Sequence, residues 1–191
     1  MTALRKLPRK TSQPREAPRA SFPRPAPPAG SARYRSPPIV IEPFVDIEWV
    51  RGHHDEVVLA DCRWYADGRS GRDAYVGGHI PGAVFVDLDT ALTRHEDPAL
   101  AGRHPLAAPE DFAAAMGALG IGDDDSVIAY DDAGGVIAAR LVWMLRATGH
   151  EAALLDGGLA AWDGKLDVGE AARPRAAFTA RKKSSLLAVS R

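Results

Sequence analysis

The chain has 191 residues, of which 46% are hydrophobic, so it has the size and apolar content of one ordinary domain. Residues 1–38 carry nine of its 24 Lys and Arg residues but one of its 25 acids, which leaves 15 basic and 24 acidic residues in the remainder. The acidic main part argues against nucleic acid as a partner. No apolar run approaches the ~20 residues of a membrane helix. The single cysteine, Cys62, excludes an internal disulfide and a multi-cysteine metal site.

The first 38 residues are predicted to form a disordered tail. They hold nine of the fifteen prolines and few large apolar side chains, and such a segment cannot bury enough surface to offset its ordering entropy. They lack the apolar region of about 7–15 residues that marks a secretory signal. Their arginine-rich composition fits a flexible tail, an organelle transit peptide or a basic arm, and the sequence leaves these readings open.

Four short apolar runs predict β-strands. They are Val57–Ala60, Ala83–Val86, Val127–Tyr130 and Ala152–Leu155. Residues 39–41 are a candidate for a further strand at the edge of the sheet. Because the runs are continuously apolar rather than alternating, we expect strands that are covered on both faces, as in parallel sheets.

Helical patterns alternate with these strands. Asp46 is placed to cap a short first helix, and Pro109 fits the first position of a second helix that Gly120 ends. Residues 136–148 form a third helix that is apolar almost all round, so we expect it to be well buried. The alternation predicts an α/β domain with a mostly parallel sheet.

Acidic residues follow three of the predicted strands, in segments 61–64, 87–89 and 131–135. This is the carboxyl edge, where parallel α/β folds bind their ligands. Asp131 and Asp132 stand between a strand and a Gly-Gly loop that leads into a helix. A carboxylate at that point either belongs to a metal or anion site, or stabilises the positive end of the helix by about 0.3–1 kcal/mol.

Six segments resemble, in order, motifs of the rhodanese family of sulfurtransferases. The most characteristic is GHIPGA, Gly78–Ala83. The others are VLADCRWY (58–65), GRDAYVGGHIPGAVFVDLD (71–89), GRHPL (102–106), ALGIGDDDSVIAYDD (118–132) and LLDGGLAAW (154–162). The resemblance covers about Ile39 to Trp162. It implies an α/β, three-layer domain in which helices flank a parallel five-stranded sheet.

Within this family the chain resembles the N-terminal half of a tandem two-domain thiosulfate/3-mercaptopyruvate sulfurtransferase, whose second half is usually the catalytic one. The family's nucleophile is a cysteine after the fourth core strand, and its thiolate carries sulfane sulfur from a donor such as thiosulfate to cyanide or another thiophile. The matching position here is Asp131. A carboxylate cannot store a sulfane sulfur and repels thiosulfate, so the resemblance implies a non-catalytic domain without a cofactor.

Two alternatives stay open at the level of sequence. Cys62 follows a predicted strand beside Arg63, a cation that can lower a thiol pKa, so an active sulfurtransferase could use Cys62. Asp131 could instead be the phosphorylated residue of a metal-dependent phosphatase. The DxD pattern and a suitably placed lysine of such enzymes are missing from the sequence.

Three further side chains have expected roles. Arg69 and Arg72 lie in the segment after the second strand and are expected to contact a substrate. His79, in GHIPGA, is expected to fasten its loop by a hydrogen bond from the ring. No histidine pair has the spacing of a zinc site, so we expect no bound metal.

Residues 39–165 are therefore expected to form the domain, and residues 166–191 a polar tail that resembles the start of the linker between tandem domains. The expected partner is a catalytic rhodanese domain missing from this chain, through which alone thiosulfate-like donors would be used. We expect neither a nucleic acid nor a membrane as partner. The single cysteine suits a reducing, cytoplasmic location.

Overall fold

The computed structural model describes residues 41–94 and 102–181, and in these ranges five short strands form one parallel sheet. The strands are β1 (Phe44–Val45), β2 (Val58–Asp61), β3 (Val84–Phe85), β4 (Val127–Tyr130) and β5 (Ala152–Leu155). Their order across the sheet is β1-β5-β4-β2-β3, and every neighbouring pair is parallel. The predicted α/β fold with a parallel five-stranded sheet is confirmed.

The first strand begins later than the sequence predicts. Ile39 and Val40 lie outside the described residues, and β1 starts at Phe44, directly after Pro43. Proline has no N–H to donate, but its carbonyl oxygen accepts a hydrogen bond from Leu154 N at 2.9 Å. The pairing with β5 therefore starts at the proline and continues through the strand.

Helices connect the strands and cover both faces of the sheet. They are α1 (Ile47–His53), α2 (Gly71–Gly77), α3 (Leu88–Ala91), α4 (Pro109–Ala118), α5 (Ala138–Ala147) and a 3₁₀ turn (Gly158–Ala161). Asp46 caps α1 by accepting from Trp49 N at 2.8 Å, as the sequence predicts. In the two described ranges, no helix combines the length and apolar content needed to cross a bilayer.

Side chains that alternate along the strands fill two cores. Val127 and Ala129 of β4 belong to the core under α4 and α5, whereas Ile128 and Tyr130 belong to the core on the opposite face, with Val50 of α1. All five residues are fully buried. This two-sided burial explains why the strands read as continuous apolar runs.

Helix α5 is less buried than its apolar sequence predicts. Leu141 and Leu145 are fully buried, but Trp143 is 50% exposed, and Val136, just before the helix, is 71% exposed. A helix packed on a sheet buries one face, and Trp143 lies on the outer one. An apolar patch therefore remains on the surface of the described domain.

Residues 166–181, which we call the strap, lie along the domain. Asp167 forms an antiparallel bridge with His79, and Ala176 N donates to the carbonyl oxygen of Gly117 at 3.0 Å. Further along, the Phe178 ring stacks on His150, with ring centroids 4.0 Å apart. The strap is the first part of the segment expected to form a linker-like tail, and residues 182–191 lie outside the described residues.

Asp123 anchors the end of the strap. Its carboxylate accepts from Thr179 N at 2.6 Å and from Thr179 Oγ1 at 3.0 Å, and it forms an ion pair with Arg181 at 3.4 Å. Burial acts to raise the pKa of Asp123, but the bonds from Thr179 and His150 outweigh it and lower this pKa below its ordinary value. Asp123 and His150 precede β4 and β5, so the strap ends at the amino edge of the sheet.

We predict that Phe178→Ala lowers the free energy of unfolding by about 2 kcal/mol, because the half-buried ring packs against Phe112 and His150 and its loss leaves a gap. Urea denaturation followed by circular dichroism measures the change. Val168→Ala is the matched control in the same strap, since Val168 is 76% exposed, and its effect should stay within about 0.5 kcal/mol. Equal, small effects of both variants would show that the strap adds nothing to the folded domain.

Candidate functional site

The loop after β4 wraps around the carboxylate of Asp131. Oδ1 accepts from Ala133 N at 2.9 Å and from Gly135 N at 2.7 Å. Oδ2 accepts from Ile137 N at 2.9 Å and from Ala138 N at 3.0 Å. We call these four N–H groups the cradle. Asp131 is only 1% exposed, so its charge is compensated by the cradle rather than by water.

The glycines explain how the backbone can close so tightly around one side chain. Gly134 and Gly135 have φ values of 76° and 85°, in the left-handed region that other residues avoid. Gly158 follows β5 and lies against Asp131, where a Cβ atom would come within 2.3 Å of the Asp131 carbonyl oxygen. Leu159 N donates to this same oxygen at 2.9 Å. The turns after β4 and β5 therefore hold Asp131 from two sides.

Tyr65 and Arg69 lie at the exposed rim of this loop. Tyr65 Oη donates to a carboxylate oxygen of Asp132 at 2.7 Å. The Arg69 guanidinium lies 3.9 Å from the centre of the Tyr65 ring and pairs with Asp67 at 2.9 Å. Burial, followed by the bond to Asp132, raises the pKa of Tyr65, so its hydroxyl stays protonated at neutral pH. The structure thus brings Arg69 beside the Asp131 loop.

Arg72 has a different partner. It lies in the first turn of α2 and forms an ion pair with Glu170 of the strap at 2.6 Å. The expected contacts of Arg69 and Arg72 with a substrate stay predictions. Of the two, Arg69 is the one that the described contacts connect to the Asp131 loop.

A buried ion pair between Asp61 and Arg63 supports the GHIPGA loop. Asp61 and Arg63 are both buried, and Arg63 Nη2 lies 2.7 Å from Asp61 Oδ2 and 2.7 Å from the carbonyl oxygen of Gly78. Burial acts to lower the pKa of Arg63, but the bond to Asp61 outweighs it and raises this pKa. His79 donates to the carbonyl oxygen of Tyr75 at 2.9 Å, which is the fastening role expected for it.

Cys62 is fully buried in the core under α5, and its Sγ lies 3.9 Å from the carbonyl oxygen of Ala60. Burial, and then the charges of Asp61 and Asp131, raise the pKa of this thiol well above its ordinary value. The neighbouring Arg63 is paired with Asp61 instead. The thiol is therefore protonated and shielded at neutral pH, and the geometry gives no support to Cys62 as a nucleophile.

The surroundings of Asp131 also disfavour a metal-dependent phosphatase. Both carboxylate oxygens face N–H donors, and such donors suit an anion rather than a cation. Among residues 41–94 and 102–181, no group of three or more His, Cys, Asp or Glu side chains could hold a metal ion. A phosphoryl acceptor would also need a free oxygen, whereas each Asp131 oxygen accepts two hydrogen bonds.

Comparison with known proteins identifies relatives of this chain. A family model described as the rhodanese-like domain matches residues 46–165. The 3-mercaptopyruvate sulfurtransferase of Escherichia coli (strain K12) is 40% identical over 146 residues, which are 72% of this chain and 50% of that protein. Thiosulfate/3-mercaptopyruvate sulfurtransferase 2 of Arabidopsis thaliana is 38% identical over 126 residues, or 63% of this chain and 36% of that protein. The chain spans about half the length, or less, of these curated relatives.

Solved structures agree with these sequence relationships. The crystal structure of SseA from Escherichia coli, a 3-mercaptopyruvate sulfotransferase, matches with a TM-score of 0.64 and 36% identity, covering 73% of this chain and 57% of that one. The 3-mercaptopyruvate sulfurtransferase from Leishmania major matches with a TM-score of 0.66 and 29% identity, covering 73% and 41%.

We predict that Asp131→Ala lowers the free energy of unfolding by at least about 3 kcal/mol, because four N–H groups that are now paired lose their acceptor. Chemical denaturation measures the loss. Asp132→Ala makes the same change at the exposed neighbour and should cost about 1 kcal/mol or less. If the two variants were equally stable, the cradle would not be what holds this loop.

Proposed function

This chain belongs to the rhodanese-like domain family, and on that premise we propose that it is a non-catalytic member of this sulfurtransferase family that serves as a structural partner of a catalytic rhodanese domain. The observation that carries the proposal is the position of the Asp131 carboxylate, which lies inside the cradle and accepts all four of its N–H groups.

Sulfur transfer by a rhodanese needs a thiolate at this position. The thiolate attacks the outer sulfur of thiosulfate, the sulfur–sulfur bond breaks, and sulfite leaves with the bonding electron pair. The resulting persulfide then gives its outer sulfur to cyanide, which forms thiocyanate and restores the thiolate. A carboxylate oxygen forms no stable bond of this kind to sulfane sulfur. Asp131 at this position therefore supports the proposal that the domain does not catalyse sulfur transfer.

The cradle itself supports the same proposal. Converging N–H groups at a helix N-terminus stabilise negative charge, which is what a persulfide anion would need. Here the Asp131 carboxylate already supplies that charge from within the chain. For a donor anion such as thiosulfate, these N–H groups would already be hydrogen-bonded, and the negative charge of Asp131 would repel it.

Two observations support the partner role: the chain spans only part of its relatives' length, and Arg69 is exposed. The aligned part of this chain spans only half or less of the relatives named as sulfurtransferases, so we propose that the catalytic function lies in a separate domain of the same family. At the rim of the Asp131 loop, the Arg69 side chain is 66% exposed, so it is available to contact an anionic donor held by that domain. The cytoplasmic location stays a prediction.

We predict that incubation with thiosulfate leaves the mass of the purified chain unchanged, because Asp131 accepts no sulfur and Cys62 is buried. Intact-mass spectrometry measures this, with thiocyanate formation from added cyanide as the second readout. Asp131→Cys places a thiol in the same cradle and should gain one sulfur atom, whereas Asp131→Ser should gain none. Sulfur uptake by the unaltered chain that Cys62→Ser abolishes would establish Cys62 as the nucleophile and contradict the proposal.

We predict that the chain associates with a separately produced catalytic rhodanese domain, such as the C-terminal half of the Escherichia coli relative. Sedimentation velocity of the mixture measures the complex. Arg69→Ala should weaken it, because Arg69 lies at the rim where we place the contact. Arg175→Ala removes the same side chain from the strap and should leave the complex unchanged. Absence of a complex at the highest usable concentrations would count against the partner role.

A further inference from the structure

An apolar groove of about 250 Å³ lies between α4 and α5, away from the Asp131 loop. Leu106 and Phe112 form one wall, and Trp143 and Ala147 form the other. Leu106 is 43% exposed and Trp143 is 50% exposed, so both present apolar surface to solvent in the described domain. Arg181, the last residue of the strap, lies at the end of this α4–α5 groove.

The size and lining of the groove indicate the kind of occupant. Pockets for small molecules have volumes of roughly 300–1,000 Å³ and a few converging polar groups. The α4–α5 groove is smaller and its walls are mainly aliphatic and aromatic. It therefore suits two or three apolar side chains of a peptide segment better than a cofactor or a polar metabolite.

The chain itself supplies such a segment directly after the groove. Arg181 is fixed there, because its N–H donates to the carbonyl oxygen of Thr148 at 3.1 Å and its side chain pairs with Asp123. The sequence continues from Arg181 as KKSSLLAVSR, in which Leu186–Val189 is a run of four apolar residues. The strap thus ends beside an apolar groove, and an apolar run follows it in the sequence.

The distances allow this segment to reach every part of the groove. Four residues separate Arg181 from Leu186, and the extended chain from one to the other spans at most about 17 Å. Helix α5 has ten residues and is about 15 Å long. A tether this short gives the segment a high effective concentration at the groove, so it has an advantage over a second molecule, which must lose its free translation and rotation on binding.

We propose that residues 186–189 bind in the α4–α5 groove of their own chain and cover Trp143 and Leu106. The strap, which precedes this segment in the sequence, lies along the same domain as far as Arg181. This interaction is independent of sulfur chemistry, because the groove contains neither Asp131 nor Cys62.

Tryptophan fluorescence tests the proposal on the full chain and on a chain that stops at Arg181. Removal of the segment should shift the emission of Trp143 to longer wavelength and increase its quenching by acrylamide. The same comparison in a Trp143→Phe background should show no shift, since the other three tryptophans are common to both chains. Leu186→Ser/Leu187→Ser should reproduce the truncation without shortening the chain, and Ser184→Ala/Ser185→Ala is the matched control that should not.

Three outcomes would overturn the proposal. The full and shortened chains could give the same emission and quenching, or their difference could persist in the Trp143→Phe background. A shift that depends on protein concentration, together with a dimer in sedimentation velocity, would instead assign the groove to a second copy of the chain. None of these results would alter sulfur loading, so a failure here is distinguishable from a failure of the proposed function.

Discussion

The hydrogen bonds between the Asp131 carboxylate and four backbone N–H groups are the interaction on which this site depends. A buried charge is costly unless it is compensated, and the N–H groups of a loop and a helix N-terminus are costly when left unpaired. The N–H groups compensate the buried charge of Asp131, and the carboxylate gives those N–H groups an acceptor. The loop after β4 is held closed and α5 receives a negative charge at its positive end. The same bonds engage all four of these N–H donors within the chain.

The geometry around Asp131 combines a tightly closed loop with a buried negative charge. Gly135 and Gly158 allow the backbone to approach the side chain and main chain of Asp131, so the loop closes around the chain's own carboxylate. This arrangement is what we expect of the non-catalytic domain proposed above. The aligned part of this chain spans half or less of the two sulfurtransferase relatives described above.

Local signals in the sequence were sufficient for strands β2 to β5, whereas β1 begins at Phe44 rather than in residues 39–41. The continuous apolar run of β4 and the Asp46 cap depend on neighbours along the chain, so they can be recognised from short segments. The strap could not be recognised in this way, because its main contact joins Phe178 to His150, which are distant in the sequence, and follows no periodic pattern. The outward position of Trp143 on an apolar helix was missed for a related reason. Which face of a helix meets the sheet is decided by packing, and the apolar sequence of α5 does not specify it.

The strap also bears on where this domain ends. The match to the family model ends at residue 165, yet the chain keeps contact with its own domain as far as Arg181. A gene trimmed to the span that the family model matches would encode a polypeptide without the segment that packs on Phe112 and His150. The side chains under the strap would be exposed to solvent at the amino edge of the sheet. Misfolding or aggregation of that fragment would then result from removal of the strap and would not be a property of the family.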